Sequence, residues 1–231
     1  MFGQIFSKDL NKNIEFIPYN STYYDQTIEV IRKAFFKYET VSVGSEIDQN
    51  VEAQRDLEGL CDDALKKSDV SIIARDVELD KIVGVAINVK QTKQVGSDEK
   101  SYFERISDEC KTKSAKSLMN FMIAADAKVD LFEKFNVDSL FEIMFLAVLK
   151  EYGRQGIGYE LCKYSIDNAK NNDLKLISSL FTGRNTHAIG RKLGFEVVFE
   201  ESFSNYSFNG KTFAERCCDP ELTYHLAAKS L

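Results

Sequence analysis

The run Leu140-Phe141-Glu142-Ile143-Met144-Phe145-Leu146-Ala147-Val148 is the most apolar stretch of the chain, and a glycine-bearing turn, Gly153 to Gly158, follows it directly. A strand this apolar is covered on both faces, which places it in the middle of a sheet with helices packed above and below. The turn then opens a helix. Residues 174–180 read as the next strand, 186–193 as a short helix and 195–199 as a further strand. The order β-α-β-α-β implies an α/β core.

Upstream, Ile14-Glu15-Phe16-Ile17 reads as a short strand ended by Pro18. Tyr24, Ile28, Ile31 and Phe35 recur at helical spacing, with Asn20 or Ser21 able to cap the start, and this helix runs into Phe36-Lys37-Tyr38-Glu39. Residues 46–67 alternate charges with Val51, Leu57, Leu60 and Leu65, as a surface helix does. Residues 71–75 and 82–89 are β-branched runs joined by a polar turn, as in an antiparallel hairpin. The stretch 99–134 holds too many large apolar groups for disorder and reads as two or three helices. With two prolines, no repeat and no low-complexity tract, residues 1–231 are expected to form one domain.

Composition narrows the function classes. A net charge of -6 without a basic patch disfavours nucleic acid as a partner. No hydrophobic run approaches the roughly 18 residues of a membrane span, so no membrane partner is expected. Met1 to Asp9 lacks the basic start and apolar stretch of a secretory signal, which points to a cytoplasmic location. Five cysteines without Cys-x-x-Cys spacing read as reduced thiols, and no metal site is expected. Cys162 reads as a small core residue. His187 and His225 show no acidic partner in triad order, so a hydrolase has little support.

The chemistry concentrates in Val148 to Leu161. A buried strand ends, glycines permit a tight turn, and a helix begins, so unpaired amide N–H groups converge on one spot. Such a spot binds anions, and Arg154 adds a full charge at its rim. There is no Gly-Lys-Ser/Thr of a P-loop and no third glycine of a dinucleotide fingerprint.

Arg154-Gln155-Gly156-Ile157-Gly158 after a strand, with Arg191-Lys192-Leu193-Gly194-Phe195-Glu196 further on, resembles the acetyl-CoA site of the GNAT superfamily. The resemblance implies an α/β (α+β) GNAT fold. Its mixed, twisted sheet of about seven strands is flanked by helices, and acetyl-CoA lies in the split between two central parallel strands. It implies that Leu146, Ala147 and Val148 pair with the pantetheine arm, and that the segment Gly153, Arg154, Gln155, Gly156, Ile157 and Gly158 holds the pyrophosphate. Gly153 departs from the family, which prefers Arg or Gln there.

A narrower resemblance covers nearly the whole chain and is to insect arylalkylamine N-acetyltransferases. It is carried by Phe35-Phe36-Lys37-Tyr38-Glu39, Val83-Gly84-Val85-Ala86-Ile87-Asn88, Phe132-Glu133-Lys134-Phe135-Asn136-Val137-Asp138 and a terminal hairpin from Tyr206 to Phe213 turning at Asn209-Gly210. It implies that Glu39 is the general base and that Thr182 and Thr186 stand where the family has two catalytic serines, although both could also cap the following helix. Phe35-Phe36 is expected to desolvate the Glu39 carboxylate. The tyrosine many GNAT members use as acid falls at Gly190, which leaves Thr182, Thr186, water or another tyrosine for that role.

The reaction so implied is direct attack of a primary amine on acetyl-CoA, with backbone amides of the central strand as oxyanion hole. The expected acceptor is a small arylalkylamine of the dopamine, serotonin or tyramine type. A polyamine, histamine, an amino acid or a peptide is the alternative, and a non-catalytic CoA-binding module the third reading. The expected assembly is a monomer or weak dimer.

Overall fold

The computed structural model describes residues 13–67, 69–93 and 101–231. The reading of Met1 to Asp9 and the start of the stretch 99–134 lie outside them. One seven-stranded sheet organises the chain: β1 (Ile14–Pro18), β2 (Ile72–Asp76), β3 (Lys81–Thr92), β4 (Ser139–Val148), β5 (Leu176–Phe181), β6 (Glu196–Ser202) and, from the far C-terminus, β9 (Thr223–Ser230). Their order is β1-β2-β3-β4-β5-β9-β6, and a two-stranded ribbon of β7 (Ser207–Phe208) and β8 (Lys211–Thr212) lies apart. Every pair in the large sheet is antiparallel except β4 with β5. Pro18 ends an edge strand, where a missing N–H costs no ladder bond.

Among the described residues ten short or regular α-helical segments cover the sheet. They are α1 (Tyr24–Val30), α2 (Phe36–Tyr38), α3 (Thr40–Gly44), α4 (Val51–Lys67), α5 (Tyr102–Glu109), α6 (Lys113–Asp126), α7 (Leu131–Phe135), α8 (Ile157–Asn171), α9 (Arg184–Leu193) and α10 (Phe213–Arg216). The polar stretch before β4 therefore resolves into three helices, α5 to α7. A capping box at Ser101 and Glu104 starts α5, Thr112 caps α6 and Asp130 caps α7.

Several boundaries and faces differ from the sequence reading. The segment read as a surface helix from residue 46 begins at Val51, which is exposed, while Ala53, Leu57, Leu60, Cys61 and Ala64 of α4 are buried against the sheet. Residue 46 instead adopts a left-handed conformation ahead of a 3-10 turn. The helix read at 186–193 starts at Arg184, and the strand read at 195–199 runs from Glu196 to Ser202. β9, absent from the reading, inserts between β5 and β6 so that those two strands never meet. A π-helical turn, Ile31–Phe35, joins α1 to α2. Its extra residue rotates the apolar face: Phe36 is fully buried, and Phe35 turns half out to meet Phe145 at 4.9 Å between ring centroids.

Candidate active site

β4 and β5 pair only over Phe141–Ile177, Glu142–Ser178 and Ile143–Ser179. Beyond that both strands continue but diverge, so the sheet splits in its centre. Leu149 N–H donates to Val83 C=O at 2.8 Å. By strand alternation the polar groups of Ala147 also face β3, while those of Leu146 and Val148 face the split. The split thus has backbone donors and acceptors that no neighbouring strand occupies. A bulge feeds it: Ile87 pairs with Phe145 and Asn88 with Ile143, leaving Met144 unmatched on β4.

The bulge also exchanges the faces of β4. Asn88 is buried and donates to Ser165 Oγ of α8 at 3.0 Å, so its partner Ile143 lies on the α8 face. Phe145, two residues on, packs instead on Phe35 on the opposite face. Glu142, adjacent to Ile143, shares that opposite face.

Past the split, the chain turns into α8 with Arg154 at φ 60° and Gly156 at φ 83°, the left-handed region that glycine occupies without strain. No side chain caps this helix, and its first bond is Glu160 N–H to Gly156 C=O, 3.0 Å. The amides of Ile157, Gly158 and Tyr159 are therefore outside the helical ladder and form an anion cradle at the positive end of the helix dipole. The cradle and the split open into one cleft of about 1170 Å³, whose lining adds Lys150, Arg154, Arg184 and Lys192. Leu146, Ala147, Val148, Gly153, Arg154, Gly156, Ile157 and Gly158 all line it, whereas Gln155 does not. Ile157 contributes only its backbone, its side chain being buried. Gly153 has φ -64° and ψ 153°, dihedrals open to any residue, but a Cβ there would lie 3.0 Å from the Lys150 carbonyl oxygen, so the tight 3-10 turn before it disfavours the family's Arg or Gln. A long ligand that pairs along a strand edge and carries a diphosphate matches this combination of strand edge, free amides and cationic rim.

Glu39 sits where the cleft narrows. It caps α3, its Oε1 accepting from Val41 N–H at 2.9 Å and its Oε2 from Ser42 N–H at 2.8 Å. Ser42 Oγ donates to Oε2 at 2.9 Å, and Thr182 Oγ1 donates to Oε1 at 2.7 Å. Four donors on one carboxylate fill its acceptor sites. The expectation that Phe35-Phe36 strips this group of polar contact is thus corrected: the α3 N-terminus surrounds it with donors. Thr40 Oγ1 donates to Thr182 C=O at 2.6 Å, so residues 39 and 40 clamp the end of β5 twice.

The two threonines part company. Thr182 faces Glu39, while Thr186 Oγ1 donates to Gly183 C=O at 2.8 Å and accepts from Gly183 N–H at 3.2 Å, a local cap at the start of α9. Gly190 has no room for the family's tyrosine, because a Cβ there would lie 2.5 Å from the Phe181 ring. The sequence reading missed the cleft tyrosines Tyr38, Tyr152 and Tyr159. Tyr152 OH is committed to Asp76 Oδ2 at 2.9 Å, which leaves Tyr38 and Tyr159 as the phenols of the cleft.

A second, narrower cavity of about 90 Å³ lies behind Glu39, walled by residues of α4 to α6 and of β4, among them Leu60, Phe103, Leu118, Met122 and Glu142. It shares Phe35, Glu39, Leu146, Thr182 and Thr186 with the large cleft. Away from both, His187 and His225 stack at 3.6 Å between centroids. His225 does have an acidic neighbour, Glu200 at 3.4 Å, which the linear sequence hid. Burial pushes the Cys162 thiol up to about 12, as befits an inert core residue. Among the described residues no helix is long and apolar enough to cross a membrane.

Residues 115–195 match the model of the Acetyltransferase (GNAT) family. Arylalkylamine N-acetyltransferase 2 from Aedes aegypti superposes with a TM-score of 0.81 at 25% identity, covering 95% of this chain and 99% of that one. A mosquito arylalkylamine N-acetyltransferase like 5b gives 0.78 at 16%, covering 94% and 100%. The Drosophila melanogaster polyamine N-acetyltransferase, which forms N-acetylagmatine, gives 0.76 at 13%, covering 95% and 100%. A comparison with curated protein sequences gives no match.

Proposed function

We propose that this acetyl-CoA-dependent N-acetyltransferase of GNAT fold takes as its acceptor a small arylalkylamine bound in the cavity behind Glu39. The observation that carries the reading is the junction of two unlike spaces. A wide cleft with free amides and cations meets a narrow, mostly apolar cavity at Phe35, Glu39, Leu146, Thr182 and Thr186. Phe35, Phe103, Leu118 and Met122 offer an aromatic ring the dispersion contacts and sulfur contact it favours.

Bound in the cleft, acetyl-CoA supplies the thioester carbonyl that the amine attacks and the thiolate that leaves. Gly153, Arg154 and Gly156, the free amides of α8 and the strand edge at Leu146 to Val148 hold it. The amides of Leu146 and Val148 that face the split stabilise negative charge on the carbonyl oxygen. An alkylammonium with a pKa of about 10.4 is fewer than about one part in a thousand free amine at neutral pH, so a base must take its proton. Thr182 hands that proton to Glu39 through the 2.7 Å bond between them, since the carboxylate's other sites are filled by α3. The C–N bond forms as C–S breaks, and the thiolate is protonated by Tyr38, Tyr159 or water. Thr186, closed on Gly183, holds α9 in place rather than moving a proton.

The test is thiol release from acetyl-CoA over aromatic amines, histamine, polyamines and peptides, with wild type beside Glu39→Gln. Turnover on arylalkylamines that falls in the variant is the expected result. Turnover confined to peptides or to none of these acceptors overturns the reading.

A further inference from the structure

Two carboxylates face the acceptor cavity, and their surroundings differ in kind. Glu39 is saturated by four donors. Glu142, on the opposite wall, is half-buried, and its hydrogen-bond partner is the Gln91 side-chain amide of β3, which donates to Oε2. One donor on a group that accepts about four leaves room for a ligand. Among the described residues no basic side chain pairs with it. Burial and the like charge of Asp126 push its carboxyl up to about 7, with only the Gln91 bond opposing them. A charge held in an apolar wall at such a cost is either a fault in the packing or a contact awaiting a partner.

The β4 bulge decides where this group points. Without the extra residue at Met144, Glu142 would lie on the face of α8; with it, Glu142 joins Phe145 on the acceptor side. Glu142 is level with Ser178 of β5, and Thr182 lies four residues further along. By strand rise the separation is about 13 Å. That backbone spacing is of the order of an arylethylamine's length with a contact at each end.

We propose that Glu142 reads the far end of the acceptor, accepting a hydrogen bond from a donor carried opposite the reacting amine: a ring hydroxyl or a second cationic group. This rests on the placement of the acceptor in the cavity behind Glu39. The apolar part of the cavity wall, Leu118 and Met122 among it, rewards apolar bulk and cannot tell a hydroxylated ring from a bare one. Glu142 can, because a bare ring leaves its carboxylate desolvated with only the Gln91 bond to hold it.

The experiment compares kcat/KM within two matched pairs, tyramine with phenethylamine and 1,5-diaminopentane with pentylamine, in wild type, Glu142→Gln and Glu142→Asp. The expected wild-type preference for the donor-bearing member is at least tenfold in one pair. The phenol pair showing it identifies a hydroxyl, the diamine pair a cation. In Glu142→Gln the ratio falls at least fivefold, because the donor-bearing member is used less well and the bare one better; Glu142→Asp retains part of it. Wild type using both members of each pair equally overturns the proposal, and so does a preference that survives Glu142→Gln. Either result still leaves amine acetylation in place. Failure of wild type to acetylate any of the four amines strikes the placement of the acceptor itself.

Discussion

Because Glu39 is both the cap of α3 and the acceptor of the Thr182 hydroxyl, its replacement touches stability and rate at once, and neighbouring variants separate the two. Glu39→Gln keeps one side-chain oxygen for a cap bond, so the stability loss is about 1 kcal/mol. Its loss of basicity lowers kcat by about 100-fold or more, the scale of general base catalysis. Thr182→Val leaves the α3 cap intact but removes the donor to Oε1, and kcat falls by roughly tenfold or more with little change in Tm. Thr186→Val does the reverse. It unseats the cap on Gly183, costing about 1 kcal/mol, with a smaller effect on kcat than Thr182→Val. Steady-state kinetics and chemical denaturation of the three variants check this ordering. Equal losses of kcat in both threonine variants would restore Thr186 to the chemistry.

At the scale of elements, the turn into α8 is the part most dependent on a single backbone conformation. Gly156→Ala places a side chain at φ 83°, a cost of about 1–2 kcal/mol. The turn relieves that strain by moving its amides out of the cradle, so acetyl-CoA affinity measured by calorimetry should fall at least tenfold. This turn was legible in the sequence because its signals are local: an apolar strand, spaced glycines and a helix within about twenty residues. The Asn209-Gly210 hairpin was legible for the same reason, both residues taking positive φ between β7 and β8. β9 was not, since Thr223 to Ser230 alternates weakly and gains its place only by slotting between β5 and β6. The π-turn that exposes Phe35 and the bulge that aims Glu142 each add one residue to an otherwise regular element, and no periodicity announces them. The Glu39–Thr182 bond spans 143 residues of sequence and was foreshadowed only by resemblance to a family.

Over the whole molecule, two glutamates set opposing pH dependences. Burial alone would raise Glu201, but hydrogen bonds from Tyr206, Tyr224, Asn205 and Lys128 outweigh it and lower its carboxyl to about 2. The two phenols donate at 2.7 Å each, tying β6 to β9 and to the start of the β7–β8 ribbon. Since the unfolded chain takes up this proton near 4.5, Glu201 contributes stability that is present above that pH and is lost as pH falls from about 4.5 to about 2. Glu142 works the other way. Its carboxyl is raised to about 7, so between about 4.5 and 7 the native state binds the extra proton, and stability falls as pH rises through that window. Their joint contribution is greatest in mildly acidic solution; Asp126, raised by burial, adds to the Glu142 limb, and His187, lowered by burial, opposes it. Urea denaturation from pH 3 to 8 should show a rise, a maximum near pH 5 and a decline toward neutrality. In Glu142→Gln the decline between pH 5 and 7 flattens while the acid limb stays. In Glu201→Gln the acid limb is the part that shrinks, together with an overall loss of about 1–3 kcal/mol as the tyrosine hydroxyls lose a charged acceptor. A bound cationic acceptor would reverse the Glu142 contribution by favouring its ionised form. Adding the preferred diamine or hydroxylated amine should therefore stabilise the protein more at pH 7.5 than at pH 5.5, with Glu142→Gln showing no such difference.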